Sequence, residues 1–256
     1  MILIDHSYLS KIEINYKIEK LMKQKIFEFI TLYLDNLTQK KNIILIKKIL
    51  GKKINIFFDV GAHKCETIKL FNKYFDIKRI FAFEANINLS NIKKISNTTF
   101  IFKGVGEKNS RKKFNQSNFT AISSFNRFNE KSNYSKQKKK LISFIYSAQE
   151  NVTEKKVDVI TLKSFCKRNK IEKIELLKID TEGYEFNVLK GLNEYITNVD
   201  VILFEHHYDN SLIKYYKFSD IHNFLVKNKF KKVFKNKMIF RKIFEYVYIN
   251  ERLKTK

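Results

Sequence analysis

The sequence of 256 residues contains no proline, no tryptophan, two cysteines and only six glycines. Cys65 and Cys166 are too few for a disulfide framework and lack the spacing of metal-ligand pairs, which is typical of a protein from a reducing compartment. The first residues show no basic segment followed by an apolar one, so no secretory signal is predicted. These absences favour a cytoplasmic protein.

Long hydrophobic runs are also missing. The longest candidates are residues 26–34, which Glu28 interrupts, and residues 42–50, which Lys47 and Lys48 interrupt. Neither approaches the roughly 18 to 20 apolar residues that span a membrane, so no transmembrane segment is predicted. The hydrophobic content of 44% is that of a chain with a folded core.

Acidic residues are scarce: 26 Asp and Glu stand against 51 Lys and Arg, which gives a formal charge of +25. Only six of the basic residues are arginine, the residue that recognises phosphates and bases in a bidentate manner. Lysine is abundant together with Ile, Asn, Phe and Tyr, all residues of A/T-rich codons, so a coding bias explains the charge. A nucleic-acid partner is therefore not favoured, although so many lysines attract any polyanion.

The N-terminal part of the chain is predicted to be helical. Residues 12–38 carry apolar side chains every three or four positions, which is typical of an amphipathic helix. A second helix is predicted from about Ile43 to Leu50, ending at Gly51. We divide the chain into a helical extension (1–51) and a main domain (52–256) with an insertion at about 105–150. The helices are expected to cap the sheet of the main domain; a homodimer interface or a membrane-surface helix are the alternatives.

From residue 52 onward, strand-like and helix-like segments alternate, which predicts a mainly parallel sheet covered by helices on both faces. Strands are predicted at 54–60, 79–85, 98–104, 157–162, 174–180 and 201–207. Helices are predicted at about 65–75, 87–96, 162–169, after Gly183 and at 219–227. The final apolar runs, 230–235 and 244–249, predict an antiparallel strand pair, and the polar insertion predicts short strands and one helix.

Four of the predicted strands end at a carboxylate: Asp59, Glu84, Asp180 and Glu205. In open α/β sheets, ligands bind in the crevice beyond the carboxyl ends of the strands. Gly61 and Gly183 each lie within three residues of one of these acids. In a chain so poor in glycine, this placement indicates backbone that needs a residue without Cβ.

The first two strand ends predict a nucleoside site. Gly61 begins a loop that leads into a helix, and Glu84 follows it by 23 residues, where an acid commonly accepts hydrogen bonds from ribose hydroxyls. The residues after Gly61 do not form the G-x-G-x-x-G pattern of NAD sites, so the adenosyl sulfonium cofactor suits the loop better. The predicted cofactor contacts are Asp59, Gly61, Ala62, His63, Glu84 and Ala85.

Three segments then resemble the best-kept blocks of the FkbM family of methyltransferases: FDVGAHKCETIKLF (58–71), FAFEANINL (81–89) and IELLKIDTEGYEFNVLKG (174–191). Residues 201–210 (VILFEHHYDN) resemble the strand that follows them there. The resemblance implies a class I methyltransferase (Rossmann-like) sheet of seven strands, the last antiparallel. It also implies S-adenosyl-L-methionine as cofactor and methyl transfer to a hydroxyl, often on a sugar or a natural product.

The chain departs from the family pattern in the glycine loop. His63 stands where the family usually has Asn, and Cys65 stands where it usually has a further Gly. If that position needs a positive φ, Cys65 strains or reshapes the loop. Weaker cofactor binding and an inactive relative therefore remain open.

Methyl transfer requires an aligned acceptor and the removal of a hydroxyl proton. Asp180, Glu205 and His206 are the predicted catalytic residues because they lie at strand ends that face the crevice. Asp180 has an alternative role at the start of the following helix. At most one of His206 and His207 can face the site, because neighbours on a strand point in opposite directions. The spacing demands no metal, and none is predicted.

These observations predict an O-methyltransferase of a small-molecule or glycan acceptor. An RNA or protein methyltransferase that uses the lysine-rich surface, and an inactive cofactor-binding relative, are the alternatives. The absence of proline excludes the Asn- or Asp-Pro-Pro-Tyr site of nucleobase N-methyltransferases. Residues 105–150 are expected to determine the acceptor specificity, but their sequence pattern does not predict which acceptor is bound.

Overall fold

The structure, a computed structural model, describes residues 6–91, 94–118, 120, 123–146 and 151–253. Its helices are α1 (His6–Leu50), α2 (Glu66–Phe71), α3 (Asn133–Tyr146), α4 (Leu162–Arg168), α5 (Glu185–Lys190) and α6 (Phe218–Lys227). Its strands are β1 (Lys53–Val60), β2 (Asp76–Phe83), β3 (Thr98–Ile101), β4 (Gly104–Val105), β5 (Ser110–Ser117), β6 (Val152–Ile160), β7 (Ile174–Ile179), β8 (Val199–His207), β9 (Phe230–Lys237) and β10 (Ile243–Asn250). Short 3-10 helices cover Ile87–Leu89 and Asn193–Asn198.

The described residues build a seven-stranded sheet in the order β3-β2-β1-β7-β8-β10-β9. The pairs from β3 to β8 are parallel, and β10 runs antiparallel to both of its neighbours, β8 and β9. The predicted seven-stranded, mainly parallel sheet with an antiparallel last strand is therefore confirmed. The parallel strands place the carboxyl ends of β1, β2, β7 and β8 along one edge, where the predicted site residues lie.

Both faces of the sheet are buried, as the nearly continuous apolar strands predict. Phe58 points toward a core that is completed by α4, α5 and α6, whereas its neighbour Phe57 points toward a second core with α2 and the end of α1. In β7 the same alternation sends Leu177 to the first core and Leu176 to the second. Helices thus cover both faces, as predicted.

The N-terminal segment is one continuous helix, α1, instead of the two predicted helices. The predicted break at residues 39–42 contains neither Gly nor Pro. Two of its polar side chains are instead buried against the sheet: Gln39 and Asn42 donate hydrogen bonds to the carboxylate of Glu245, the latter at 2.6 Å. Polar residues that look like a linker are here the contact between α1 and β10. Gly51, with φ of 79°, ends the helix.

The middle part of α1 leaves large apolar side chains in solvent, including Met22, Ile26 and Phe29. A homodimer formed through this face stays a prediction. No helix among the described residues combines the length and the apolar character that crossing a membrane requires.

Two local predictions differ from the structure. The segment expected to be a helix at 87–96 begins with a 3-10 turn over Ile87–Leu89, which the Asn86 side chain caps by accepting a 3.1 Å hydrogen bond from the Asn88 N–H. Strand β6 does not join the main sheet; it pairs with β4 and β5 in a second sheet of order β4-β6-β5. The apolar alternation of residues 157–160 predicted a strand but not its partners.

Candidate functional site

A cavity of about 780 Å³ opens at the carboxyl ends of the central strands. Its lining includes five of the predicted cofactor contacts, which we call the Gly61–Glu84 end, and two predicted catalytic residues, which we call the acid end: Gly61, Ala62, His63, Glu84 and Ala85, then Asp180 and Glu205. A volume of this size holds a nucleoside cofactor and part of an acceptor. The fold therefore brings the two predicted groups of residues to one place.

The loop after β1 depends on a glycine. Gly61 has a φ of 84°, and its N–H and that of Ala62 donate hydrogen bonds of 2.9 and 3.0 Å to the carbonyl of Phe83. A Cβ atom at Gly61 would lie 1.7 Å from the carbonyl oxygen of Asp180. The missing side chain thus lets the loop pass between the ends of β2 and β7.

Glu84 organises the loop from the end of β2. Its carboxylate accepts a 2.8 Å hydrogen bond from the His63 N–H and another of 2.8 Å from the Asn86 N–H. Burial raises the pKa of Glu84, while these backbone donors oppose the shift. A carboxylate has about four lone-pair positions, so Glu84 keeps accepting capacity for a hydroxyl group in the cavity.

His63 is held by its side chain as well as by its backbone. Its Nε2 lies 2.8 Å from Oγ1 of Thr120, and its Nδ1 lies 3.0 Å from Oε1 of Glu66. Although burial opposes it, the contact with His63 lowers the pKa of Glu66. The histidine that replaces the family's Asn therefore ties the loop to α2 and to the insertion.

Cys65 occupies a left-handed conformation, with φ of 64°, and its side chain is fully buried. Burial raises the pKa of the thiol to about 12, so it stays protonated at neutral pH and does not serve as a nucleophile. Cys65 therefore has the positive φ that was the condition for a strained loop. Such a φ costs a non-glycine residue about 1 to 2 kcal/mol.

Replacing Cys65 tests that strain. We expect Cys65→Gly to be more stable than Cys65→Ala by about 1 kcal/mol, because both lose the buried sulfur and only glycine removes the φ penalty. Urea unfolding of the two variants measures the difference. Affinity for S-adenosylmethionine, measured by calorimetry, should be kept or improved in Cys65→Gly. Equal stabilities, or a marked loss of affinity in the glycine variant, would contradict this account of the loop.

At the other end of the cavity, a buried lysine separates two acids. Nζ of Lys178 lies 3.1 Å from Oδ2 of Asp180 and 3.5 Å from Oδ1 of Asp59. Burial alone would lower the pKa of Lys178, but the charges of Asp180 and Asp59 outweigh it and raise the pKa. Asp59 is fully buried beneath the cavity and is not among its lining residues, so it supports Lys178. Burial raises the pKa of Asp59 to about 6.

Glu205 ends β8 beside a second histidine. Oε1 of Glu205 lies 3.2 Å from Nε2 of His207, and Oε2 of Glu182 lies 3.5 Å from the same nitrogen. Burial, followed by the charge of Asp180, raises the pKa of Glu205 to about 8. On the other side of the ring, Nδ1 of His207 lies 3.4 Å from Oδ2 of Asp209.

The structure does not bring His206 to the cavity. Its ring lies on the opposite side of β8 from Glu205, with ring centroids 4.8 Å from Tyr208, 5.8 Å from Tyr216 and 5.8 Å from Phe218. Burial lowers the pKa of His206 to about 3, which suits a neutral core residue. The histidine beside Glu205 is His207, two residues further along the same face of the strand.

Several site residues escaped the sequence prediction, although period-two spacing marks two of them. Lys178 is two residues from Asp180 and His207 is two residues from Glu205, so each pair shares one face of its strand. A wall of the cavity also comes from α1, whose polar side chains are spaced three or four apart: Glu28, Thr31, Asp35 and Gln39. The apolar residues of the same helix follow the same spacing, so the polar ones are not distinctive in the sequence.

The model of the family described as "Methyltransferase FkbM domain" matches residues 59–232. The matched segment begins at the end of β1 and reaches into β9, so it includes both ends of the cavity. A comparison with curated proteins gives no match.

Among solved structures, the methyltransferase FkbM from Methylobacillus flagellatus KT aligns with a TM-score of 0.50 and 14% identity, covering 77% of this chain and 44% of that chain. This chain therefore spans less than half the length of that relative. Magnesium protoporphyrin IX methyltransferase from Synechocystis PCC 6803 aligns with a TM-score of 0.45 and 6% identity, covering 85% of this chain and 80% of that chain. At such identities the likeness concerns the fold alone.

Proposed function

This chain belongs to the FkbM family of methyltransferases, whose model matches residues 59–232, and from this premise we propose that it methylates a hydroxyl group with S-adenosyl-L-methionine. The acceptor class that we propose is a sugar, a glycan or a hydroxylated natural product. The observation that carries the proposal is the single cavity that joins the Gly61–Glu84 end to the acids of β7 and β8.

The Gly61–Glu84 end suits the cofactor. Gly61 lets the loop backbone pack against the carbonyl of Asp180, which fixes the position of the loop N–H groups at the cavity. Glu84 keeps accepting capacity for a ribose hydroxyl after accepting the N–H groups of His63 and Asn86. An acid at this strand end is the group that binds ribose in nucleotide-binding α/β folds.

The acid end suits the transfer. S-adenosyl-L-methionine held at the Gly61–Glu84 end would supply the methyl group: a C–O bond to the acceptor would form as the C–S bond breaks, and S-adenosylhomocysteine would be the leaving group. The hydroxyl proton must go to a base, and we assign this role to Asp180, whose carboxylate lines the cavity. Lys178 holds that carboxylate in place from 3.1 Å, and Glu205 orients the acceptor.

The acceptor wall favours a neutral, hydroxyl-rich molecule. Glu28 and Asp35 of α1 and Glu182 and Glu205 of the sheet edge line the cavity with carboxylates, of which Asp35 pairs with Arg241, a further lining residue. Carboxylates accept hydrogen bonds from hydroxyl groups, whereas they repel the phosphates of a nucleic acid. This distribution supports a sugar-like acceptor over RNA, even though the chain as a whole carries a charge of +25.

Cofactor binding tests the first half of the proposal. We expect Glu84→Ala to weaken binding of S-adenosylmethionine by about 1.5 to 3 kcal/mol, the scale of hydrogen bonds to a charged group. Calorimetry with the purified chain measures the loss. Glu194→Ala is the matched control, because it removes an exposed glutamate that pairs with Lys163 and Lys167 away from the cavity. Equal affinity in wild type and Glu84→Ala would remove Glu84 from the site.

A further inference from the structure

Three side chains at the acid end of the cavity have the spacing of metal ligands. His207, Glu182 and Glu205 each offer one ligand atom, and these atoms lie within 4.8 Å of one another. Nε2 of His207 is 3.2 Å from Oε1 of Glu205 and 3.5 Å from Oε2 of Glu182. In a six-coordinate ion with bonds of about 2.1 Å, adjacent ligand atoms lie about 3 Å apart and opposite ones about 4.2 Å apart. The three atoms can therefore surround one ion after small side-chain adjustments.

His207 is prepared as a ligand by its other nitrogen. Its side chain is 2% exposed, and its Nε2 is buried without a hydrogen bond of acceptable geometry, aimed at the two glutamates. Nδ1 faces Asp209 at 3.4 Å, and Asp209 in turn accepts a 2.9 Å hydrogen bond from the Ser211 N–H. A carboxylate behind the non-ligating nitrogen is the arrangement that orients histidine in protein metal sites.

The charged side chains around Lys178 and His207 also favour a bound cation. Lys178 neutralises part of the charge of Asp59 and Asp180, with contacts of 3.5 and 3.1 Å. Three further acids each form an ion pair with His207: Glu182, Glu205 and Asp209. Three buried or half-buried carboxylates thus surround one imidazole, a set of oxygen and nitrogen donors that suits a bound cation.

We propose that Glu182, Glu205 and His207 bind one divalent cation of the Mg²⁺ or Mn²⁺ type. The chemistry of the ion rests on the proposed function: with coordination positions left open toward the cavity, it takes the acceptor hydroxyl as a further ligand and makes its proton easier to remove. The proton still goes to Asp180. The spacing of Asp180, Glu205 and His206 in the sequence predicted no metal site. The set whose ligand atoms lie close enough to bind one ion has Glu182 in place of Asp180 and His207 in place of His206.

Manganese binding to the full chain tests the site without any acceptor. After dialysis against EDTA and then buffer, Mn²⁺ is titrated and its free fraction is followed by electron paramagnetic resonance. We expect one Mn²⁺ per chain, displaced by excess Mg²⁺. Glu182→Gln, Glu205→Gln and His207→Gln should each weaken the affinity tenfold or more, whereas Glu194→Gln should leave it unchanged because that carboxylate is exposed on the surface.

The absence of stoichiometric Mn²⁺ binding would overturn the inference, and so would equal affinities in wild type and in the three ligand variants. Circular dichroism shows which variants fold. For any that do not, Asp209→Asn takes their place, since it loosens the orientation of His207 without removing a ligand and should weaken binding about 10- to 100-fold; unchanged affinity there also overturns the site. Calorimetry with S-adenosylmethionine in EDTA is run on the same protein. A failure of cofactor binding would count against the proposed function, and the Mn²⁺ titration would still decide the metal site.

Discussion

Gly61→Ala should lower the free energy of unfolding by about 3 kcal/mol or more and remove measurable binding of S-adenosylmethionine. The new Cβ would lie 1.7 Å from the carbonyl oxygen and 2.8 Å from the carbonyl carbon of Asp180, both backbone atoms that cannot turn away. The φ of 84° adds the left-handed penalty of about 1 to 2 kcal/mol. The loop must move away from β7 to make room for the alanine side chain. Its N–H groups would then leave the positions that they have at the Gly61–Glu84 end of the cavity.

Gly51→Ala is the matched control for this substitution. Gly51 has nearly the same φ, 79°, but a Cβ there meets nothing within 4 Å. It should therefore cost only about 1 to 2 kcal/mol, the conformational penalty alone. Urea unfolding followed by circular dichroism gives both stabilities, and calorimetry gives the affinities. If the two variants lose the same stability, the close approach of the loop to β7 is not what requires glycine at position 61.

The positions of the strands were the most predictable part of the fold. Runs such as residues 54–60 and 174–180 carry apolar side chains on both faces, which is typical of central parallel strands. The continuity of α1 was not predictable in this way, because it depends on buried hydrogen bonds from Gln39 and Asn42 to Glu245, some 200 residues away in the sequence. The pairing of β6 with β4 and β5, outside the main sheet, likewise depends on contacts between residues that are distant in the sequence.

The position of the site was predictable because parallel strands deliver their carboxyl ends to one edge. Gly61, Glu84, Asp180 and Glu205 could be placed together on that ground alone. The alternation of side chains along a strand shows that only one of His206 and His207 can face the cavity, and the two-residue spacing from Glu205 identifies His207 as that residue. Lys178 was hidden by composition: one functional lysine does not stand out in a sequence with 51 basic residues.

Asp180→Asn should lower turnover by about 10²-fold or more, while the affinity for S-adenosylmethionine stays within about tenfold of wild type. The amide has the size of the carboxylate but cannot take the hydroxyl proton, and general bases contribute about 10²- to 10⁴-fold. Lys178 keeps Asp59 as a partner at 3.5 Å, so the substitution does not leave a buried lysine without an acid. Single-turnover methylation, with an acceptor identified by screening hydroxylated sugars for S-adenosylhomocysteine formation, measures the rate.

Asp158→Asn is the control for Asp180→Asn, because Asp158 is an exposed carboxylate that pairs with Arg111 on the second sheet and should leave both rate and affinity unchanged. The two readouts on Asp180→Asn separate its possible roles. Loss of cofactor binding together with rate would place Asp180 in the cofactor pocket. An unchanged rate with unchanged binding would mean that its carboxylate only stabilises the turn before α5. The base would then have to be sought among the other residues that line this edge of the cavity, such as Glu182 and Glu205.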